Sequence, residues 1–143
     1  MMISTKGRYG LRVMIDLAQN SGEDFISLKS ISERQGISMK YLEMIVAALN
    51  KGGLVKSQRG KDGGYKLTKP IADYTIGEII RTTEGGLIAV SCSECSDENT
   101  CGKSEKCLTL PIWQGLEDVI NDYLDGVSLQ DVLDRRVEFL QQL

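Results

Sequence analysis

The chain has 143 residues, 41% of them hydrophobic, a formal net charge of −3 and no histidine. That is enough apolar content for one ordinary domain, which argues against global disorder, and imidazole-based metal or catalytic chemistry is excluded. No run of about 18 apolar residues is present to span a membrane, and MMISTKGRYG at the start has no long apolar signal core behind it, so a cytoplasmic protein is expected.

The overall charge conceals an asymmetry. Residues 1–70 hold 12 Lys/Arg against 6 Asp/Glu, a net of +6, and residues 71–143 hold 5 against 14, a net of −9. A basic half suggests a polyanion partner; an acidic half suits a solvated regulatory or oligomerisation region.

In chain order, TKGRYGLRVMIDLAQ places Leu11, Met14, Leu17 and Ala18 at helical spacing, with Thr5 as the expected cap and Gly22 beyond the end. A short second helix follows Ser27, with Leu28 and Ile31 in phase, and stops at Gly36. The third is capped by Ser38, carries Tyr41, Leu42, Ile45, Val46 and Leu49 on one face, and ends at Gly52-Gly53. Two helices separated only by Gly36, Ile37 and Ser38 form a helix-turn-helix pattern, whose second helix enters the major groove of DNA.

LVKSQ and YKLTK alternate as strands do and flank the glycine-rich basic RGKDGG turn, so a hairpin with Arg59 and Lys61 at its tip is predicted. Directly after a helix-turn-helix, such a hairpin is a wing, and cations at its tip reach phosphates or a narrow minor groove. Beyond Pro70, Thr75 and Glu78 form a capping-box pattern before a helix through Thr83 that ends at Gly85-Gly86.

CSECSDENTCGKSEKC, residues 92–107, contains all four cysteines of the chain and has neither helical nor strand periodicity. A loop this long inside a small protein needs something to hold it. After it, LPIWQGLEDVINDYLDGV puts Trp113, Leu116, Ile120, Tyr123 and Val127 at steps of three and four on one helix edge, with Pro111 in its first turn. That edge is a candidate dimer contact, since helix-turn-helix proteins commonly bind two half-sites as dimers. SLQDVLDRRVEFLQQL, capped by Ser128, is predicted as a last helix with Leu129, Val132, Val137 and Leu140 partly in phase. The fold class expected is mainly α with a small β-hairpin: a winged helix-turn-helix over residues 1–70, then a cysteine loop and a helical dimerisation region over 71–143. No phosphate-binding GxxxxGK[ST] loop or dinucleotide fingerprint is present, so no enzyme activity is expected.

STKGRYGLRVMIDLA, SISERQGISMKYLEMIVAALNKGGLVKSQRG, GGYKL and CLTLPIW together resemble the Rrf2 family of bacterial transcriptional regulators, over essentially the whole chain. The N-terminal half is similar to both the IscR and CymR branches. The resemblance implies a homodimer on a roughly palindromic duplex and matches Ser38, Lys40, Tyr41 and Glu43 to positions that contact bases or phosphates. Glu43 suits a cytosine amino group, and Lys40 a phosphate or guanine. Arg59 and Lys61 on the wing, with Lys6 and Arg8 on the first helix, are expected to make backbone or minor-groove contacts. Met44 stands where IscR-like proteins have glutamine, so a different operator is implied.

Cys95, Cys101 and Cys107 are spaced C-x5-C-x5-C, the pattern of the cluster-ligating cysteines in the IscR and NsrR branches and absent from CymR-like proteins. IscR-like proteins add a histidine where this chain has Leu110. NsrR-like proteins use an aspartate from the partner's first helix, near the position of Arg8 here. Neither ligand is present, so Cys92, one CxxC step before Cys95, is the expected fourth ligand of a [2Fe-2S] or [4Fe-4S] cluster. The residues leave open a metal-free thiol-disulfide switch of CymR type, with Lys103 and Lys106 favouring thiolates, and tetrahedral zinc in a structural or interaction module.

Overall fold

In the computed structural model, described over residues 3–20, 22–87 and 107–137, two serines frame the helix-turn-helix. Ser27 caps α2 (Leu28–Gln35) by accepting from the Ser30 N–H, and Ser38 caps α3 (Met39–Lys51) by accepting from the Tyr41 N–H. Each cap satisfies one of the orphan donors of a helix's first turn. Between the helices Gly36 takes φ 65°, a left-handed conformation that costs a side-chain-bearing residue energy, and its N–H closes α2 on the Ser32 carbonyl.

α1 (Thr5–Asn20) precedes this pair. Its start differs from the sequence expectation: the caps are Ser4, whose hydroxyl accepts from the Lys6 N–H, and the Glu84 carboxylate, which accepts from the N–H groups of Ser4 and Gly7. Glu84 is the last residue of α4 (Ile76–Glu84). A Cβ on Gly7 would stand 2.3 Å from the Glu84 carboxylate oxygen and one on Gly10 2.5 Å from the Thr83 methyl, so the two glycines are what lets α4 lie this close.

β1 (Val55–Gln58) and β2 (Gly64–Leu67) pair antiparallel, with Val55 opposite Leu67 and Gln58 opposite Gly64. Ile26 joins as a third segment through paired backbone bonds with Tyr65 of 2.9 and 2.8 Å, which fixes the wing to the entry of α2. A single 3-10 turn, Ile71–Asp73, leads to Tyr74. The Tyr74 hydroxyl donates to the Leu54 carbonyl at 2.8 Å and accepts from the N–H groups of Thr68 and Lys69, so a fully buried ring carries no unpaired polar atom.

The core draws Val13, Met14 and Leu17 from α1, Ile31 from α2, Leu42, Ile45, Val46 and Leu49 from α3, and Leu54 and Val55 from the wing. Tyr74, Ile79 and Leu129 complete it from beyond Pro70. Each fully buried aliphatic contributes about 1.5–3 kcal/mol relative to exposure. Within this core Asp16, 1% exposed, receives two N–H groups of the Arg34 guanidinium at 3.0 and 2.7 Å and the Gln35 amide at 2.9 Å. A buried carboxylate needs such partners, and these lock α1 to the end of α2.

Thr75 caps α4 as predicted, but the capping box is half formed: the Glu78 carboxylate turns to the Lys69 ammonium, at 2.8 and 2.9 Å. α5 (Leu110–Asp125) has Pro111 in its first turn, as expected. It is held to α4 by Arg81, which donates to Asn121 at 2.8 Å and pairs with Asp125. α6 (Leu129–Leu133) has a complete capping box between Ser128 and Asp131 and is shorter than the sequence suggested. Arg135 takes φ 55°, which ends helical geometry; residues 138–143, which include Leu140, lie outside the described residues.

Candidate nucleic-acid interface and the cysteine loop

Packing decides what α3 offers. With Leu42, Ile45, Val46 and Leu49 buried, the opposite ridge consists of Lys40, Met44, Ala47 and Lys51, all exposed at steps of four, three and four. Ser38, Met39 and Glu43 are exposed beside it. The Ser38 hydroxyl oxygen accepts in the cap and keeps its own proton to donate. Tyr41 is half-buried with its ring edge-on to Tyr9 of α1, centroids 5.5 Å apart, and the Arg12 guanidinium lies 5.3 Å from the Tyr9 ring centroid. Arg12 in turn donates to Gln35. Tyr9 and Arg12 were not singled out in the sequence, although both are one helical turn from the core-facing Val13 and Asp16.

Arg59 and Lys61 are exposed in the loop between β1 and β2, and Lys61 shares a cleft with Ser27 and Ser30 at the start of α2 and Arg34 near its end. Arg8 is exposed and donates to Thr5, whereas Lys6 is half-buried and lines one cleft with Lys51, Thr82 and Glu84. Among the described residues none of Lys6, Arg8, Lys40, Lys51, Arg59 and Lys61 is in an ion pair. Cations without carboxylate partners are available to phosphates. Lys51, beside the Gly52-Gly53 stop, is in phase with Lys40.

Three of the four cysteines, Cys92, Cys95 and Cys101, lie outside the described residues, with Lys103 and Lys106. Cys107 is described, half-buried and three positions before α5. Its sulfur is 3.3 Å from the Thr109 hydroxyl, which with the N–H groups of Thr109 and Leu110 holds the thiol below its ordinary range. Its thiolate is a soft donor of the kind that holds iron-sulfur clusters or zinc. No group of three or more Cys, Asp or Glu is gathered among the described residues.

α5 buries none of its sixteen residues. Trp113, Ile120 and Leu124 are half-buried, while Ile112, Leu116, Val119 and Tyr123 form a separate exposed stripe at steps of four, three and four, with Val119 65% and Ile112 61% exposed. The single edge expected from Trp113, Leu116, Ile120 and Tyr123 is therefore two: one half-covered, one open. No described helix is long and apolar enough to cross a membrane.

A profile of the Rrf2 family, described as an iron-dependent transcriptional regulator, matches residues 3–135. The transcriptional regulator IscR of Pectobacterium atrosepticum is 37% identical over 136 residues, covering 95% of this chain and 81% of that protein. Among solved structures, CymR, the global cysteine regulator of B. subtilis, superposes with a TM-score of 0.73 at 38% identity, covering 94% of this chain and 98% of that one. T. potens IscR gives 0.72 at 40% identity, covering 100% and 93%. The outward ridge of α3, the wing fixed beside α2 and this likeness along the whole length lead to one conclusion: the chain belongs to the Rrf2 family of DNA-binding transcriptional regulators.

Proposed function

We propose that the chain is an IscR-type regulator that binds a roughly palindromic duplex as a homodimer and senses iron-sulfur or redox status through an iron-sulfur cluster on residues 92–107. In this division of labour residues 1–70 contact DNA, and residues 71–143 hold the cluster and pair the subunits. The observation that carries the proposal is the position of Cys107: its thiolate-favouring contacts come from Thr109 and Leu110, where the helix that exposes the Ile112–Tyr123 stripe begins. A ligand of the loop is thus three positions from the dimer helix.

Upstream of the loop, α4 contacts the first helix. Leu87 is the last described residue before the loop, and Glu84, three positions earlier, caps the helix that carries Lys6 and Arg8. An iron-sulfur cluster supplies thiolate-bound iron that is gained, lost or oxidised with iron and redox conditions. Cys92, Cys95, Cys101 and Cys107 would hold it. Their ordering would bias α5 and α1 together, and with them the spacing of two α3 helices across the dimer.

The test is duplex binding by the same preparation before and after anaerobic reconstitution with iron and sulfide. A change in affinity or in preferred sequence supports the proposal. Identical binding in both states denies the loop a regulatory role, and binding that changes only with disulfide formation transfers that role to a metal-free thiol switch.

A further inference from the structure

α3 carries an exposed apolar side chain at the centre of its outward ridge. Met44 is 51% exposed, directly opposite the buried face, with Ala47 next along and a lysine at each end of the ridge. Single exposed apolar residues elsewhere are ordinary. On a helix that enters the major groove, this position faces the groove floor. Lys40 and Lys51 are separated by about 16 Å along the helix axis at about 1.5 Å per residue. Both cations are available to phosphates flanking Met44 along the helix. The residue between them then meets base edges, and it brings no hydrogen-bond donor.

The major groove offers one apolar group for such a side chain, the C5-methyl of thymine. We propose that Met44 is a specificity residue that selects thymine in each half-site by packing its thioether on the C5-methyl, with Ala47 leaving room for the base to approach. This rests on α3 being the helix that enters the groove. The flexible, polarisable methionine adapts to the methyl without demanding a hydrogen bond, so the preference is for thymine over cytosine and over the unmethylated uracil.

The experiment begins with the full-length protein and a randomised duplex library. In the enriched duplex each thymine is replaced, one at a time, by deoxyuridine, which removes the methyl and nothing else. One methyl buried in contact contributes about 0.8 kcal/mol, roughly fourfold in affinity. Wild type is expected to lose about that factor at one thymine, or two, in each half-site, and Met44→Ala is expected to bind more weakly and be indifferent to the same replacement. Met44→Gln is expected to shift the enriched base at that position to adenine, which glutamine contacts in bidentate fashion. Met44 is exposed, so an unchanged melting midpoint confirms that the variants are folded. Wild-type indifference to every methyl overturns the assignment, as does an equal loss in wild type and Met44→Ala. Failure to enrich any duplex overturns the placing of α3 in the groove, and this inference with it.

Discussion

The Glu84 carboxylate accepts the Gly7 N–H at 3.0 Å and so caps α1 from a residue 77 positions away in the chain. The last residue of α4 thereby caps the first helix of the basic half of the chain. Replacing Glu84 with Ala leaves first-turn donors of α1 without a partner and is expected to cost about 1 kcal/mol, the usual value of a side-chain cap. Urea unfolding at fixed protein concentration measures it. Glu84→Gln, which keeps an acceptor oxygen, should lose less. No difference between wild type and Glu84→Ala would mean that water replaces the cap.

The exposed stripe of α5 predicts the subunit contact. Leu116→Glu should leave the monomer folded, because Leu116 is exposed. Losing about 2 kcal/mol of apolar burial at each of two symmetry-related copies weakens the dimer by roughly a thousandfold. Sedimentation velocity gives the result directly, and duplex affinity should fall with it. A dimer that persists in Leu116→Glu moves the interface elsewhere.

The wing predicts a salt signature. Arg59→Ala is expected to weaken duplex binding about tenfold and to reduce the slope of log affinity against log salt by about one. Lys61→Ala should lower affinity less, because an ammonium makes a point contact where a guanidinium makes a fork. An unchanged slope in Arg59→Ala would remove the wing tip from the interface.

The contacts of Cys107 predict its reactivity. In a variant with Cys92, Cys95 and Cys101 replaced by Ser, the alkylation rate of Cys107 should rise with pH around a midpoint below the ordinary thiol range, since the thiolate is the nucleophile. The Thr109 hydroxyl is the first cause of that lowering, so Thr109→Val should move the midpoint up. Equal midpoints in the two proteins would show that Thr109 does not stabilise the thiolate.

Much of this was legible in local sequence because local sequence causes it. Ser27, Ser38, Thr75 and Ser128 cap the helices that follow them, and the third helix showed both its buried face and its end. What escaped depends on contacts between distant segments. No pattern near Thr5 announces a cap from Glu84, and Glu78 leaves its box because Lys69 reaches it from the wing's exit. The two edges of α5 were merged because Trp113 and Ile120 share three- and four-residue steps with Leu116 and Tyr123; only their burial separates them. On α3, Lys51 and Met44 belong to the ridge by helical phase alone, a signal present in the sequence and visible once the buried face is fixed.

The central claim is that one iron-sulfur site uses all four cysteines. Its most direct measurement is the visible absorption of anaerobically reconstituted protein with iron and acid-labile sulfide counted per chain, for wild type and for Cys92→Ala, Cys95→Ala, Cys101→Ala and Cys107→Ala in turn. The prediction is a coloured wild type with iron and sulfide in matching amounts, and loss of that chromophore in every one of the four variants. A colourless wild type that holds zinc or only forms a disulfide would contradict the cluster, and an unchanged chromophore in Cys92→Ala would contradict the fourth ligand.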